Sequence, residues 1–153
     1  MGRALSRRLG WVFEDLDERI QALEGRTIVQ IFQRSGEAGF RRAEHAALEQ
    51  LVREPASARV VALGGGTFAQ PENAELIGSV GASVVFLDAP AEELFERCRQ
   101  DPVERPLQRD LEQFRQLYEA RLPSYLMAAL RVETGGKNVE AVAAEVACAL
   151  GFQ

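Results

Sequence analysis

Two short apolar runs, Arg59-Val60-Val61-Ala62-Leu63 and Ser83-Val84-Val85-Phe86-Leu87, constrain this chain more than any other feature. After its first residue, each runs without polar alternation, which is the pattern of a strand covered on both faces. The first stops at Gly64-Gly65-Gly66, and the second runs through Asp88-Ala89-Pro90 into a helix expected over residues 91–99. Trp11-Val12-Phe13 is a shorter strand, ending near Asp15, where a helix through Ile20 and Leu23 begins. A further strand is expected near Leu130-Arg131-Val132. Apolar spacing predicts helices over residues 2–9, 27–33, 37–52, 111–129 and 139–149, with a turn at Ser35-Gly36 between the second and third. Strands alternating with helices imply an α/β fold, a three-layer arrangement of a parallel sheet with helices on both faces. At 153 residues the chain is long enough for one domain, residues 1–153, and it shows no internal repeat, linker or low-complexity stretch.

Composition removes several classes of function. A net charge of -5 argues against tracking of nucleic-acid phosphates, which needs a basic surface. No apolar run approaches a membrane span, and Arg3, Arg7 and Arg8 are not followed by the core of a signal peptide, so a cytoplasmic location is expected. Cys98 and Cys148 have no metal-site spacing and read as unpaired thiols of a reducing compartment. His45 is the only histidine, which excludes a histidine-rich metal site and leaves no second histidine for a relay. Arg42 and His45 are read as surface or packing residues.

Four motifs then follow in order: Asp15-Leu16-Asp17, Gly36-Glu37-x-x-Phe40-Arg41-x-x-Glu44, the glycine triplet, and Arg105-Pro106-Leu107. At a strand end, residues two apart point the same way, so Asp15 and Asp17 can both face a cleft at the carboxyl edge of the sheet. A carboxylate there serves equally well as a helix cap. Glu44 lies one turn from Arg41 on the same helix and can hold its guanidinium fork, although such a pair is often only a solvated surface contact. Glycines after a buried strand let backbone amides approach a ligand closely, or simply turn the chain. The phosphate-cradling motif G-x-x-x-x-G-K-[S/T] is absent from the 153 residues. The single lysine, Lys137 in Gly135-Gly136-Lys137-Asn138, has Arg131 where the first glycine belongs and reads as a turn into a helix.

Together with Arg121-x-Pro123-x-Tyr125, these motifs resemble the shikimate kinases, P-loop small-metabolite kinases, over essentially the whole chain. The resemblance implies ATP-dependent phosphorylation of the 3-hydroxyl of shikimate, in chorismate and aromatic amino acid biosynthesis. It assigns Asp15 to Mg²⁺ through water and Asp17 to the shikimate hydroxyls and to assisting proton removal. Arg41 and Arg121 would bind the carboxylate, with Gly64, Gly65 and Gly66 lining the substrate. Arg105, in a lid over residues 100–110, would reach the transferring phosphate. Arg99 and Lys137 would lie near the adenine. The family pattern Arg-Pro-Leu-Leu has Gln108 in its last place here, a change expected in lid packing. A monomer acting on shikimate and ATP is implied, with no nucleic-acid or membrane partner.

By the same resemblance, the family's central first strand and phosphate loop end just before Gly2-Arg3. The expectation is therefore a domain lacking that strand, with runs 59–63 and 83–87 left unpaired along their inner edges and with impaired turnover. A start placed downstream of the native one accounts for this, Met1 standing where the family often has an aliphatic residue. Two alternatives stand beside it. One is a non-catalytic domain that binds shikimate or a partner after losing its ATP site, and the other is a kinase for another small polyol acid such as gluconate.

Overall fold

The computed structural model describes residues 1–55, 58–101 and 110–152. In chain order the elements are α1 (Gly2–Leu9), β1 (Val12–Asp15), α2 (Leu16–Glu24), α3 (Ile28–Arg53), β2 (Arg59–Ala62), α4 (Pro71–Ser79), β3 (Val85–Asp88), α5 (Ala91–Gln100), α6 (Leu111–Tyr125), β4 (Leu130–Glu133) and α7 (Val139–Ala149). Strands pair in parallel, β1 with β2 and β3 with β4; among the described residues β2 and β3 have no other strand partner. The chain divides into two compact units, Met1–Ala82 with Asn138–Gln153, and Ser83–Lys137. Residues 102–109 of the expected lid, Arg105 among them, lie outside the described residues. Among the described residues, no helix is long and apolar enough to cross a membrane.

In the first unit, local chemistry fixes where each helix starts and stops. Helix α1 closes on Gly10, whose φ of 67° is open to glycine without strain, and the N–H of Trp11 returns to the carbonyl of Ser6 at 2.9 Å. Gly2 is required by packing, since a Cβ there would meet the Phe13 ring at 2.6 Å. Asp15 caps α2, its Oδ1 accepting the backbone N–H of Asp17 at 2.9 Å and of Glu18 at 3.4 Å. Thr27 and Gln30 form a reciprocal capping box at the start of α3.

The predicted break at Ser35-Gly36 is present as a kink within α3, where Gly36 has φ 66° and ψ -176°. That region is open to glycine almost alone. The bend brings the next turn close enough that a Cβ on Gly39 would sit 2.3 Å from the Cβ of Ser35. Below these helices Leu16, Ile20, Ile31, Leu48, Ala143 and Val146 form the dry core. Arg19 and Arg59 bridge Glu14 and Glu54, tying β1, α2, the end of α3 and β2 together. The register pairs Val12 with Arg59 and Asp15 with Ala62, so β1 and β2 finish side by side. Their carboxyl ends therefore deliver Asp15-Leu16-Asp17 and Gly64-Gly65-Gly66 to one edge.

Strand β1 ends at Asp15, as expected, where its ladder with β2 reaches Ala62. Two elements differ from expectation. Helix α6 stops at Tyr125 rather than near 129: Pro123 lies in its last turn, has no N–H to extend the ladder, and the chain turns over Leu126–Ala128 into β4. Helix α4 was not anticipated, although Pro71 in the first helical turn and Glu72 beside it are start signals.

The second unit is organised around Asp88, at the end of β3 and only 3% exposed. Its carboxylate accepts from Tyr118 Oη at 2.6 Å, from Arg131 Nε at 2.9 Å and from the backbone N–H of Ala89 at 2.9 Å. Its carbonyl accepts from the N–H of Thr134 at 2.7 Å and from Thr134 Oγ1 at 2.9 Å. One buried carboxylate thus joins β3, β4 and α6. Burial, then the hydrogen bond to Asp88 and its charge, push the Tyr118 hydroxyl up to about 12.

Two outcomes are expected. Gly36→Ala should lower unfolding stability by about 1–3 kcal/mol in denaturant titrations, because alanine cannot hold that backbone without strain. Native Tyr118 keeps its proton where an unfolded tyrosine loses one, so its contribution to stability should be complete below about pH 10 and fall away as pH rises toward about 12. Ultraviolet titration of the phenolate alongside thermal melts reads both, and Tyr118→Phe should remove that pH dependence.

Candidate functional site

The site in the first unit is built on one buried charge. Glu44, on the second half of α3, is 1% exposed and faces donors from three directions. Arg41 Nη1 donates to its Oε1 at 2.9 Å, Thr67 Oγ1 donates to its Oε2 at 2.8 Å, and Asn73 Nδ2 lies 3.5 Å from Oε1. A carboxylate removed from water needs such donors, because desolvation costs several kcal/mol. The expected Arg41–Glu44 pair is therefore not a solvated surface contact. Glu37 lies 3.8 Å from the other fork of Arg41, at the solvent side, and the Arg41 guanidinium sits 5.1 Å from the Phe40 ring centroid. Arg41 Nε is buried and meets no hydrogen-bond acceptor.

Thr67 links this charge to the glycine segment. Its N–H donates to the carbonyl of Gly64 at 3.1 Å, closing a tight turn directly after β2. Gly66 is buried and Gly65 exposed within that turn. A Cβ built on Gly64 would lie in ordinary contact, 3.4 Å, with both Asp17 Oδ1 and Thr67 Oγ1, which puts the Asp17 carboxylate against this turn. Asp17, Gly64, Thr67, Glu44 and Arg41 are consequently successive neighbours in one polar cluster, with Thr67 and Glu44 buried at its base. Asp15 lies beside it, with Oδ1 engaged as the cap of α2. Among the described residues no group of three or more His, Cys, Asp or Glu side chains gathers to hold an ion. The carboxylates of Asp15 and Asp17 do fit Mg²⁺, which commonly takes one or two carboxylates and fills its shell with water and phosphate oxygens.

The remaining expected residues belong to the second unit. Arg121 is half-buried on α6, one turn beyond Tyr118, and makes no ion pair among the described residues. Arg99 is exposed near the end of α5, paired with Glu96 at 3.0 Å. Lys137 is exposed in the turn after β4, its N–H on the carbonyl of Thr134 at 3.1 Å. Asn138 caps α7 through the N–H of Ala141 at 2.8 Å, as a turn into a helix requires.

Sequence reasoning missed Thr67, Asn73 and the engagement of His45. Asn73 is 1% exposed, donates to the carbonyl of Thr67 at 3.1 Å, and has Oδ1 at 2.7 Å from His45 Nδ1. The available signals were the position of Thr67 directly after the glycines and the helix start at Pro71.

Replacing Glu44 with alanine should strand three donors and reduce unfolding stability by about 3–5 kcal/mol. Glu49→Ala, on the exposed pair with Arg53, should change it by less than about 1 kcal/mol. Urea unfolding of the two variants decides whether the buried charge has this weight.

Comparison with known proteins places these features in a family. The sequence profile described as shikimate kinase matches residues 1–150. A shikimate kinase of Thermus thermophilus is 42% identical over 149 residues, spanning 95% of this chain and 79% of that protein. The crystal structure of shikimate kinase from Aquifex aeolicus superposes with a TM-score of 0.82 at 39% identity, covering 97% of this chain and 86% of that one. A shikimate kinase from Acinetobacter baumannii, solved in complex with shikimate, gives a TM-score of 0.89 at 32% identity over 97% of this chain and 83% of that one.

Proposed function

The chain belongs to the shikimate kinase family, with its P-loop kinase fold, and from that premise we propose that its 153 residues carry the acceptor side of an ATP-dependent phosphorylation of the 3-hydroxyl of shikimate. The observation that carries this reading is the Arg41 guanidinium, held by the buried Glu44 carboxylate, together with Asp17 set against the glycine turn.

Each group then has a task set by its chemistry. Arg41 presents a planar fork that matches a carboxylate, and Arg121 supplies a second. Amides of Gly64, Gly65 and Gly66 lie along the ring of the acceptor. Asp17 accepts from the acceptor's hydroxyls and takes the proton released as the 3-hydroxyl oxygen bonds to the γ-phosphorus of ATP and the bond from that phosphorus to the departing ADP breaks. Arg105 and the lid around it would meet the transferring group and exclude water, with Arg99 and Lys137 beside the adenine. Asp15 would hold Mg²⁺ through water; the ion, when bound, neutralises phosphate charge. The same reading has the protein acting as a monomer in the cytoplasm.

The phosphate-cradling motif does not occur in these 153 residues, and the proposal places on them the acceptor half of the reaction. Calorimetry should show that the 153-residue chain binds shikimate in preference to gluconate, and that Arg41→Ala weakens this binding about 10- to 100-fold. A coupled ADP assay should find little turnover until the chain is extended at its N-terminus by a strand and a G-x-x-x-x-G-K-[S/T] loop. Preference for gluconate would overturn the choice of acceptor. Shikimate binding with no turnover from the extended chain would favour a binding domain over an enzyme.

A further inference from the structure

The hydrogen bonds of one buried amide fix the position of a proton. Asn73 Nδ2 faces the carbonyl of Thr67 at 3.1 Å and Glu44 Oε1 at 3.5 Å. A carbonyl oxygen and a carboxylate only accept, so the amide must turn its NH₂ toward them; flipped, it would aim its own oxygen at both. Its Oδ1 is therefore the atom that meets His45 Nδ1 at 2.7 Å. An oxygen without a hydrogen can be satisfied there only by a proton on Nδ1. His45 follows Glu44 directly on α3, so one turn of helix supplies both the buried carboxylate and the group that braces its neighbour.

We propose that His45 is a positioning residue of the acceptor site: held with its proton on Nδ1, it locks the Asn73 amide, and through it the Glu44 carboxylate that aims Arg41 at the acceptor. This deepens the acceptor reading above and rests on it. The connected path is His45 Nδ1–H to Asn73 Oδ1, Asn73 Nδ2–H to Glu44 Oε1, and Arg41 Nη1–H to that same Oε1. Without the imidazole, Asn73 Oδ1 loses its donor and the amide is held through Nδ2 alone, by the Thr67 carbonyl at 3.1 Å and the longer contact to Glu44 at 3.5 Å. Thr67 still holds Oε2 at 2.8 Å, so the site loosens rather than collapses.

Because His45 is the only histidine, one side chain accounts for every imidazole resonance in a long-range proton–nitrogen spectrum of the 153-residue chain. At a pH where the ring is neutral, Nδ1 should show the protonated signature and Nε2 the unprotonated one, and Asn73→Ala should abolish that bias. In shikimate titrations His45→Leu should raise Kd by about tenfold, the effect of leaving one buried polar group unsatisfied. His45→Gln, whose side-chain amide still offers an N–H, should stay within about threefold, with circular dichroism confirming that both variants fold. A proton on Nε2 in the unsubstituted chain would overturn the inference from geometry alone. Equal shikimate binding by His45→Leu and the unsubstituted chain would overturn it while leaving the acceptor reading intact. Absence of shikimate binding by the unsubstituted chain would overturn both.

Discussion

Glu44 is a carboxylate placed where water does not reach, and the arrangement of the first unit around it follows from that constraint. A charge so buried is tolerated only with several donors in place, and removal of a partner typically costs about 3–5 kcal/mol. Exposed pairs such as Arg3–Glu18 contribute at most about 1 kcal/mol by comparison. The donors come from α3 itself, from the turn after β2 and from α4, three segments with no local reason to meet. Satisfying one carboxylate therefore sets the glycine turn against α3 and fixes the direction of Arg41.

Two backbone features make that meeting possible. Gly36 breaks α3 so that its second half departs along a new axis, with Gly39 leaving room for Ser35 at the bend. The parallel register of β1 on β2 ends both strands together, placing the cap of α2 and the glycine turn at one edge. A slip of one residue in that ladder would reverse the faces of every side chain on β1 and carry Asp15 out of its capping position. Asp88 has the corresponding part in the second unit, where a buried carboxylate joins two strands to the helix that bears Arg121.

Asp15 illustrates how one residue type serves two ends. Its capping bonds to the amides of Asp17 and Glu18 set the start of α2 and with it the direction of Asp17. The cap therefore also fixes where the Asp17 backbone, and with it its carboxylate, begins the helix. Stabilising the helix N-terminus is the means by which the Asp15-Leu16-Asp17 segment keeps its geometry.

Much of this was legible beforehand. The apolar runs at 59–63 and 83–87, the helix over 139–149 and the break at Gly36 are local signals, and local signals survive in a sequence read alone. The same holds for residue chemistry at motif positions, which is why Asp17, Arg41, Glu44 and Gly64 stood out. Helix α4 did not, being short and weakly patterned, and with it Asn73 and its contact with His45 were hidden. The sequence by itself determined the order of strands and helices, their caps, and which charged side chains were on offer. Only the tertiary structure decided which charge was buried and who satisfied it, because Thr67 and Asn73 reach Glu44 across 23 and 29 residues of chain, and desolvation is a property of the packed surroundings rather than of any local pattern.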